Sequence, residues 1–213
     1  MGSLEESCPG PLPVADGERS LDLLARAQAG DAEALDRLIR RYQARLLRIV
    51  RIRLGPAGSG LRRFLESADI AQETWQAALG ALADLRVTGE ADLLAWLARI
   101  ATNEVRDQLD RVRAQRRSLE REQPLPSSAG ADPVDPRSDP GARAARGEMA
   151  GILDDAIAEL PEDYREVIVL RDYCGADWGS IAERIGRPTV HAAQQLHQRA
   201  WIRVRRLAAP RLG

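Results

Sequence analysis

Basic and amide side chains recur along one stretch of the chain at alternating steps of four and three residues. This stretch contributes Arg99, Asn103, Arg106, Asp110, Arg113 and Arg117. Because residues three and four apart share one face of an α-helix, the spacing predicts one polar face with four arginines on a long helix. Guanidinium groups pair with phosphates, and an asparagine amide can hydrogen-bond to bases. The face therefore suits nucleic acid, although a solvated helix exterior has the same composition.

A second polar face lies earlier in the chain and carries acids and amides instead of arginines. It comprises Asp69, Gln72, Glu73 and Gln76, which fall at positions i, i+3, i+4 and i+7 of a helix expected to begin near Asp69. The side expected to be buried carries Trp75, Ala78, Leu79, Leu82 and Leu85. Two carboxylates and two amides are suited either to docking on another protein or to simple solvation.

The end of the chain has the residue order of a helix-turn-helix. Asp177 can cap a short helix, Gly186 suits a left-handed turn, and Thr189 can cap the longer helix that follows. This order is typical of DNA-binding units whose second helix enters the major groove. The inward side of that helix is expected to carry Ala193, Leu196, Ala200, Val204 and Leu207. The residues expected to contact DNA are Thr189, His191, Gln194, Gln195, Gln198, Arg199 and Arg203.

The elements that must position these side chains all have helical periodicity, so we predict an all-α protein of two small domains. Residues 1–19 form an acidic tail with several glycines and prolines and are expected to be disordered. Helical pattern runs through residues 20–118 and returns in residues 149–213. Residues 119–148 are rich in proline, glycine and aspartate and have few apolar residues to bury, which predicts a flexible linker.

Charge is unevenly distributed along the chain, although the 213 residues sum to a formal net charge of −1. Residues 1–36 contain eight acids and two arginines, whereas residues 165–213 contain nine arginines and four acids. This asymmetry favours a polyanion-binding region towards the end of the chain. All 31 basic residues are arginines, whose permanently charged, planar forks suit phosphates and guanine edges.

Several other kinds of chemistry find no support in the sequence. Cys8 and Cys174 are too few for a disulfide framework, and His191 and His197 do not share a helix face, so we expect no metal site. Without a phosphate-cradling glycine loop or a nucleophile elbow, we expect no catalytic residue, cofactor or small-molecule substrate. The sequence shows no apolar run of membrane-spanning length and no signal-peptide pattern, so we expect a cytoplasmic protein without membrane insertion.

Three segments of the first domain together resemble region two of the sigma-70 family, in its small extracytoplasmic-function class of RNA polymerase sigma factors. They are Gly30-Asp31 with Ala34, Leu38 and Tyr42, then Asp69-Ile70-Ala71-Gln72-Glu73-Thr74-Trp75, then Ala95 to Asn103 followed by Arg106-Asp107. The family usually has phenylalanine at the position of Trp75.

The resemblance implies roles for both polar faces. Core RNA polymerase would be bound by Asp69, Gln72, Glu73 and Gln76. The minus-ten element would be contacted by Arg99, Asn103, Arg106, Arg113 and Arg117, and the turn 86–90 would lie where family members hold a flipped-out base.

The second domain resembles region four of the same family, which reads the minus-thirty-five element. The matching segments are Leu160-Pro161, Ser180 to Gly186 and Leu196-His197. Family recognition helices usually begin with Gly-Thr and carry several basic residues, whereas this chain has Val190-His191, Ala193, Gln195 and Gln198 there. Fewer phosphate contacts predict weaker and less salt-dependent binding of this element. The resemblance implies core polymerase, promoter DNA and an anti-sigma factor as partners.

Two other functions remain open on the sequence alone. An autonomous helix-turn-helix regulator would explain the second domain but not the polar faces of the first, and it predicts duplex binding without polymerase. A sigma-like decoy would bind an anti-sigma partner without supporting promoter-dependent transcription. An enzyme is the class with the least support, because the carboxylates are scattered over helix exteriors.

Overall fold

The computed structural model describes residues 19–55, 66–119 and 140–212, and the regular structure in these ranges is helical, as predicted. The helices are α1 (Ser20–Gln28), α2 (Ala32–Leu54), α3 (Ser67–Ala81), α4 (Glu90–Leu119), α5 (Pro140–Ala158), α6 (Glu162–Ile168), α7 (Trp178–Arg184) and α8 (Val190–Leu212). A π-helical turn, Val169–Tyr173, continues α6. The predicted tail up to residue 18 and most of the predicted linker lie outside the described residues. None of the described helices combines the length and apolar character needed to cross a bilayer.

Helix α2 is the centre of the first domain and packs against α1, α3 and α4. It begins after Asp31, whose carboxylate accepts hydrogen bonds from the backbone N–H groups of Glu33 at 3.0 Å and Ala34 at 3.1 Å. Asp31 is therefore the N-terminal cap of α2. Buried residues recur along α2 at three- and four-residue steps and include Leu38, Tyr42, Leu46, Ile49 and Val50. Because α3 and α4 pack on α2 and on each other, their outward faces are held in fixed register.

Helix α8 organises the second domain by packing against α5, α6 and α7. The predicted caps and the predicted left-handed turn of the helix-turn-helix are confirmed. Asp177 accepts a hydrogen bond from the Ser180 N–H at 3.0 Å, and Thr189 accepts one from the Ala192 N–H at 3.1 Å. Gly186 has φ +63°, the left-handed conformation that ends α7.

Two features differ from the sequence prediction. Helix α5 begins at Pro140, whereas the helical pattern was expected to resume at residue 149. Proline suits the first turn of a helix because no backbone donor is needed there, so this proline starts a helix instead of marking a linker. The prediction that Leu79 is buried is wrong, since its side chain is 41% exposed. The buried side of α3 runs through Thr74, Trp75 and Ala78 instead.

The two domains pack directly on each other, with α2 against α5 and the π-helical turn. The Arg48 Nη2 donates to the Asp154 carboxylate and to the Tyr173 hydroxyl, both at 2.8 Å. The Tyr173 hydroxyl also donates to Asp154 at 2.8 Å, and the Arg48 guanidinium carbon lies 4.8 Å from the Tyr173 ring centroid. Burial by itself lowers the pKa of Arg48, but the bonds to Asp154 and Tyr173 outweigh it and raise that pKa. This Arg48–Asp154–Tyr173 cluster is a charged, hydrogen-bonded junction between the domains.

A second ion pair, between Arg53 of α2 and Glu166 of α6, lies beside that junction. Cys174 follows the π-helical turn and is 2% exposed. Burial, and then the nearby charge of Glu166, raise the pKa of the Cys174 thiol to about 12. The charges of Arg53, Arg184 and Arg45 act on this pKa in the opposite direction, but burial outweighs them.

Candidate polymerase and nucleic-acid interfaces

The predicted acid and amide face of α3 is largely exposed. Asp69, Gln72 and Gln76 all face solvent. Glu73 is only half-exposed and accepts a hydrogen bond from the Gln108 amide of α4, so it also joins the two helices. Leu79 lies three residues after Gln76 and seven after Gln72, which places it on the same side of α3. The face therefore combines polar groups with an exposed apolar side chain that the sequence prediction had assigned to the core.

The opposite side of α3 fixes this face in place. Ile70, Ala71 and Thr74 are buried, and the Trp75 indole N–H donates to the Gln43 side-chain oxygen of α2 at 2.6 Å. The Trp75 ring thus fills the core, and its indole N–H has a hydrogen-bond acceptor. This arrangement leaves the exposed side chains free to bind a partner without any change in the fold.

The predicted basic face of α4 also faces solvent. Its exposed members are Arg99, Asn103, Arg106 and Arg113, and the side chain of Arg117 lies outside the described residues. Asp110 is exposed as well and forms an ion pair with Arg113 at 3.3 Å. Both side chains of that pair are more than half exposed, so it contributes little to stability and either group can exchange its partner. The face is thus a basic surface that phosphates can reach.

The turn between α3 and α4 borders a cavity of about 440 Å³. The Gln28 amide holds this turn by donating to the carbonyls of Leu82 and Leu85, both at 2.9 Å. At the start of α4 the Thr88 hydroxyl donates to Asp92 at 2.6 Å and lowers the pKa of that carboxyl. The lining includes Arg86, Val87, Trp96 and Arg99 from the first domain and Arg184 from α7 of the second. An aromatic ring between guanidinium groups can hold an unstacked base and its phosphates.

The outward side of α8 carries the polar residues predicted to contact DNA. His191, Gln195, Gln198, Arg199 and Arg203 are exposed, whereas Gln194 is half-buried. The Gln195 amide lies 2.9 Å from the His191 ring nitrogen, so these two side chains bind each other. Thr189 is exposed, but its hydroxyl oxygen already serves as the cap of α8. Among the residues predicted to point inward, Ala193, Leu196, Ala200 and Val204 are buried and Leu207 is partly buried.

His197 belongs to a buried cluster that the sequence did not indicate. Its ring nitrogen lies 2.8 Å from the Asp172 carboxylate, and the Trp201 indole donates to the same carboxylate at 3.0 Å. The Trp178 ring meets the imidazole edge-on at 5.3 Å between centroids. Asp172 lies in the π-helical turn, 25 residues before His197, so no local pattern connects them. The cluster fixes the recognition helix α8 to the rest of its domain.

Two sigma-70 family models match the chain in the order of its domains. Sigma-70 region 2 matches residues 38–117, and sigma-70 region 4 matches residues 150–200. The first match covers α3, the turn after it and nearly all of α4, and the second covers α7 and the first half of α8. Each of the two domains is therefore matched by one family model.

Curated relatives match most of the chain. It is 31% identical over 190 residues to the ECF RNA polymerase sigma factor ShbA of Streptomyces griseus, covering 87% of this chain and 93% of the relative. It is 29% identical to the RNA polymerase sigma-H factor of Pseudomonas aeruginosa, covering 78% of this chain and 81% of that protein. The solved structure of CnrH in complex with the cytosolic domain of CnrY superposes with a TM-score of 0.50 at 24% identity. That superposition covers 91% of this chain and 99% of CnrH, and it supports the fold alone. The two family matches and the relatives together show that this chain belongs to the extracytoplasmic-function sigma factors of the sigma-70 family.

Proposed function

We propose that this sigma factor docks on core RNA polymerase through the exposed face of α3 and opens promoter DNA along the exposed face of α4. As a sigma factor it binds core polymerase, directs it to specific promoters and helps to melt the minus-ten element. The observation that carries the residue assignment is the juxtaposition of two exposed faces, one of acids and amides and one of arginines, on helices packed side by side. One rigid body can then hold polymerase and separated DNA at once.

The docking face on α3 has the composition of a protein interface. Asp69, Gln72 and Gln76 offer charge and hydrogen bonds, and Leu79 adds an apolar contact at one end. Glu73 would act mainly by tying α3 to α4, because it already accepts the Gln108 amide. We therefore assign a positioning role to Glu73. Direct contact with polymerase is assigned to the other four residues of the face, Asp69, Gln72, Gln76 and Leu79.

The test is a triple substitution of Asp69→Ala, Gln72→Ala and Gln76→Ala that leaves Glu73 in place. All three side chains are exposed, so the fold is expected to survive, with an unchanged circular dichroism spectrum and thermal midpoint. Association with purified core polymerase should fall by more than tenfold. A matched control changes two exposed acids of α2, Glu33→Ala and Asp36→Ala, and should bind core polymerase normally. Normal binding by the triple variant would refute the docking assignment.

The cavity beside the turn 86–90 is the proposed site for a flipped-out base of the minus-ten element. Trp96 would stack on the base, while Arg86 and Arg99 would contact the flanking phosphates. Unstacking a base costs only a few kcal/mol, so these contacts can offset it without nucleotide hydrolysis. Trp96→Ala should reduce run-off transcription from a duplex promoter and should be rescued by a template with a mismatched, pre-opened minus-ten element. Equal loss on both templates would contradict a role in melting.

Recognition of the minus-thirty-five element is assigned to the outward side of α8. Gln198, Arg199 and Arg203 are free to reach a major groove, whereas His191 and Gln195 must first release each other. Glutamine can make paired hydrogen bonds to adenine, each pair giving roughly 1–3 kcal/mol of discrimination. Gln198→Ala should therefore reduce sequence discrimination more than overall affinity, and Arg203→Ala should do the reverse.

The proposal extends to partners and place of action. The protein would work in the cytoplasm with the polymerase, which performs the catalysis, so we assign it no reaction of its own. CnrH is solved in complex with the cytosolic domain of CnrY, and we propose that this chain likewise binds a protein partner, an anti-sigma factor. Run-off transcription with purified core polymerase on genomic fragments tests the whole assignment. Partner binding without promoter-dependent transcripts would favour the decoy, and tight duplex binding without polymerase would favour an autonomous regulator.

A further inference from the structure

A cavity of about 160 Å³ lies at the seam between the two domains, on the side of α4 that faces α6. Four guanidinium groups line it, from Arg53 of α2, Arg106 and Arg113 of α4, and Arg165 of α6. One carboxylate, that of Glu162, is also part of the lining. The lining carries a net formal charge of +3, and the ion pairs of Arg53 with Glu166 and of Arg113 with Asp110 reduce the local excess to +1. A concave surface with a positive excess attracts an anion.

Two arginines of this wall, Arg53 and Arg165, have hydrogen-bond donors without an acceptor among the described residues. Arg53 is 8% exposed and pairs with Glu166, but its Nε is buried and has no acceptor among the described residues. Arg165 donates through Nη1 to the Ala158 carbonyl at 3.1 Å, and its Nε likewise lacks an acceptor there. Burial first, and then the charge of Arg53, lower the pKa of Arg165 even though Glu162 and Glu166 act against them. The two guanidinium groups therefore repel each other, even though Arg53 is paired with Glu166.

We propose that this cavity, the seam cavity, binds a small phosphoryl anion between Arg53, Arg106, Arg113 and Arg165. A phosphoryl group carries several acceptor oxygens and more than one negative charge, and guanidinium forks match its geometry. A single carboxylate from a partner has only two acceptor oxygens for the four guanidinium groups. A small phosphate-bearing molecule, with pyrophosphate as its simplest form, meets both the charge and the size of the space.

The position of the seam cavity gives such a ligand a defined effect. Arg53, Arg106 and Arg113 come from the first domain and Arg165 from the second, so the complete set exists only while the domains are packed together. By linkage, an anion that binds only this arrangement stabilises it. Arg106 and Arg113 also belong to the DNA face of the proposed function. If that assignment holds, the anion and single-stranded promoter DNA must compete.

The direct test is calorimetric titration of inorganic pyrophosphate into the full chain, without polymerase or DNA, at constant ionic strength set with chloride. We expect saturable one-site binding and a thermal midpoint that rises with pyrophosphate concentration. Arg165→Gln should weaken binding about tenfold or more, because it removes charge-assisted hydrogen bonds from the site. Arg206→Gln, an exposed arginine of α8 outside the seam cavity, is the matched control and should bind as the unchanged protein does.

Glu162→Gln provides a variant whose expected result cannot arise from misfolding. It removes the one carboxylate from the wall, so pyrophosphate should bind several-fold more tightly than to the unchanged chain. Absence of saturable binding, equal weakening by Arg165→Gln and Arg206→Gln, or no gain with Glu162→Gln would each overturn the site. Addition of a single-stranded oligonucleotide separates the two proposals. Pyrophosphate binding that is intact but insensitive to the oligonucleotide would refute the DNA assignment of Arg106 and Arg113, and the anion site would stand.

Discussion

Replacing Arg48 with methionine should destabilise the protein more than replacing Asp154 with asparagine, although both changes remove the same ion pair. The reason lies in unequal exposure, since the side chain of Arg48 is 24% exposed and that of Asp154 only 3%. In Arg48→Met the buried Asp154 carboxylate loses its guanidinium partner, and among the described residues the Tyr173 hydroxyl is the donor that remains to it. In Asp154→Asn the guanidinium can still donate to an amide oxygen and can turn partly towards water.

The geometry sets the expected magnitudes. Breaking a buried pair by removing one partner costs about 3–5 kcal/mol, which we expect for Arg48→Met. Loss of charge assistance in hydrogen bonds that otherwise remain costs about 1–3 kcal/mol, which we expect for Asp154→Asn. The double variant leaves no unpaired buried charge. Its cost should therefore fall short of the sum of the single costs by about 2 kcal/mol.

The assay is urea-induced unfolding of the four proteins, followed by circular dichroism. A control cycle uses Arg40→Met and Asp36→Asn, a pair at 2.7 Å whose side chains are 79% and 52% exposed. That cycle should show coupling below about 0.5 kcal/mol, because exposed pairs are screened by water. Additive costs in the Arg48–Asp154 cycle, or a larger cost for Asp154→Asn than for Arg48→Met, would refute the reasoning from burial.

Four further predictions concern the helix-turn-helix, helix α3 and the basic face of α4. Gly186→Ala should cost roughly 1–2 kcal/mol, since Gly186 has φ +63° and no atom within 4 Å of an added Cβ, so the penalty is purely conformational. Gly80→Ala, inside α3 with equally free space, should instead stabilise by up to about 1 kcal/mol in the same unfolding assay. The Ser180 hydroxyl and N–H lower the pKa of Asp177 below 3.8, so the capping stabilisation is complete above that value and is lost as pH falls through the folded-state pKa. Thermal midpoints of the unchanged chain and Asp177→Asn should therefore differ at neutral pH and converge in strong acid, and a constant difference would contradict the cap. Arg99→Gln should lower the salt dependence of single-stranded DNA binding by about 0.7 in log–log slope, and an unchanged slope would exclude a phosphate contact.

Local signals in the sequence predicted the helices and their ends well. Asp177 and Thr189 cap helices as expected, because capping by a short polar side chain depends on the residues next to it in the chain. The face of α3 that carries Asp69, Gln72 and Gln76 was likewise predictable from periodicity alone. Such features depend on residues only a few positions apart.

Contacts between distant residues were not predictable in this way. Arg48 meets Asp154 across 106 positions, and nothing in either neighbourhood indicates the other. Leu79 shows a related limit, because its apolar nature suggested burial while the actual core of α3 passes through Thr74, a polar residue whose hydroxyl bonds to the Ile70 carbonyl. The seam cavity depends on the same long-range packing. Periodicity predicts which faces of a helix are polar or apolar, but it does not predict which faces pack against each other in the fold.

The buried Cys174 allows the opening of this protein to be measured by the rate at which its thiol is modified. Its raised pKa keeps the thiol protonated at neutral pH, and the closed packing keeps reagents away. Once Cys8 is replaced by serine, maleimide can modify the chain only when the packing around the π-helical turn opens. The labelling half-time then measures how often this packing opens, and a shorter half-time with core enzyme would show that polymerase binding loosens it.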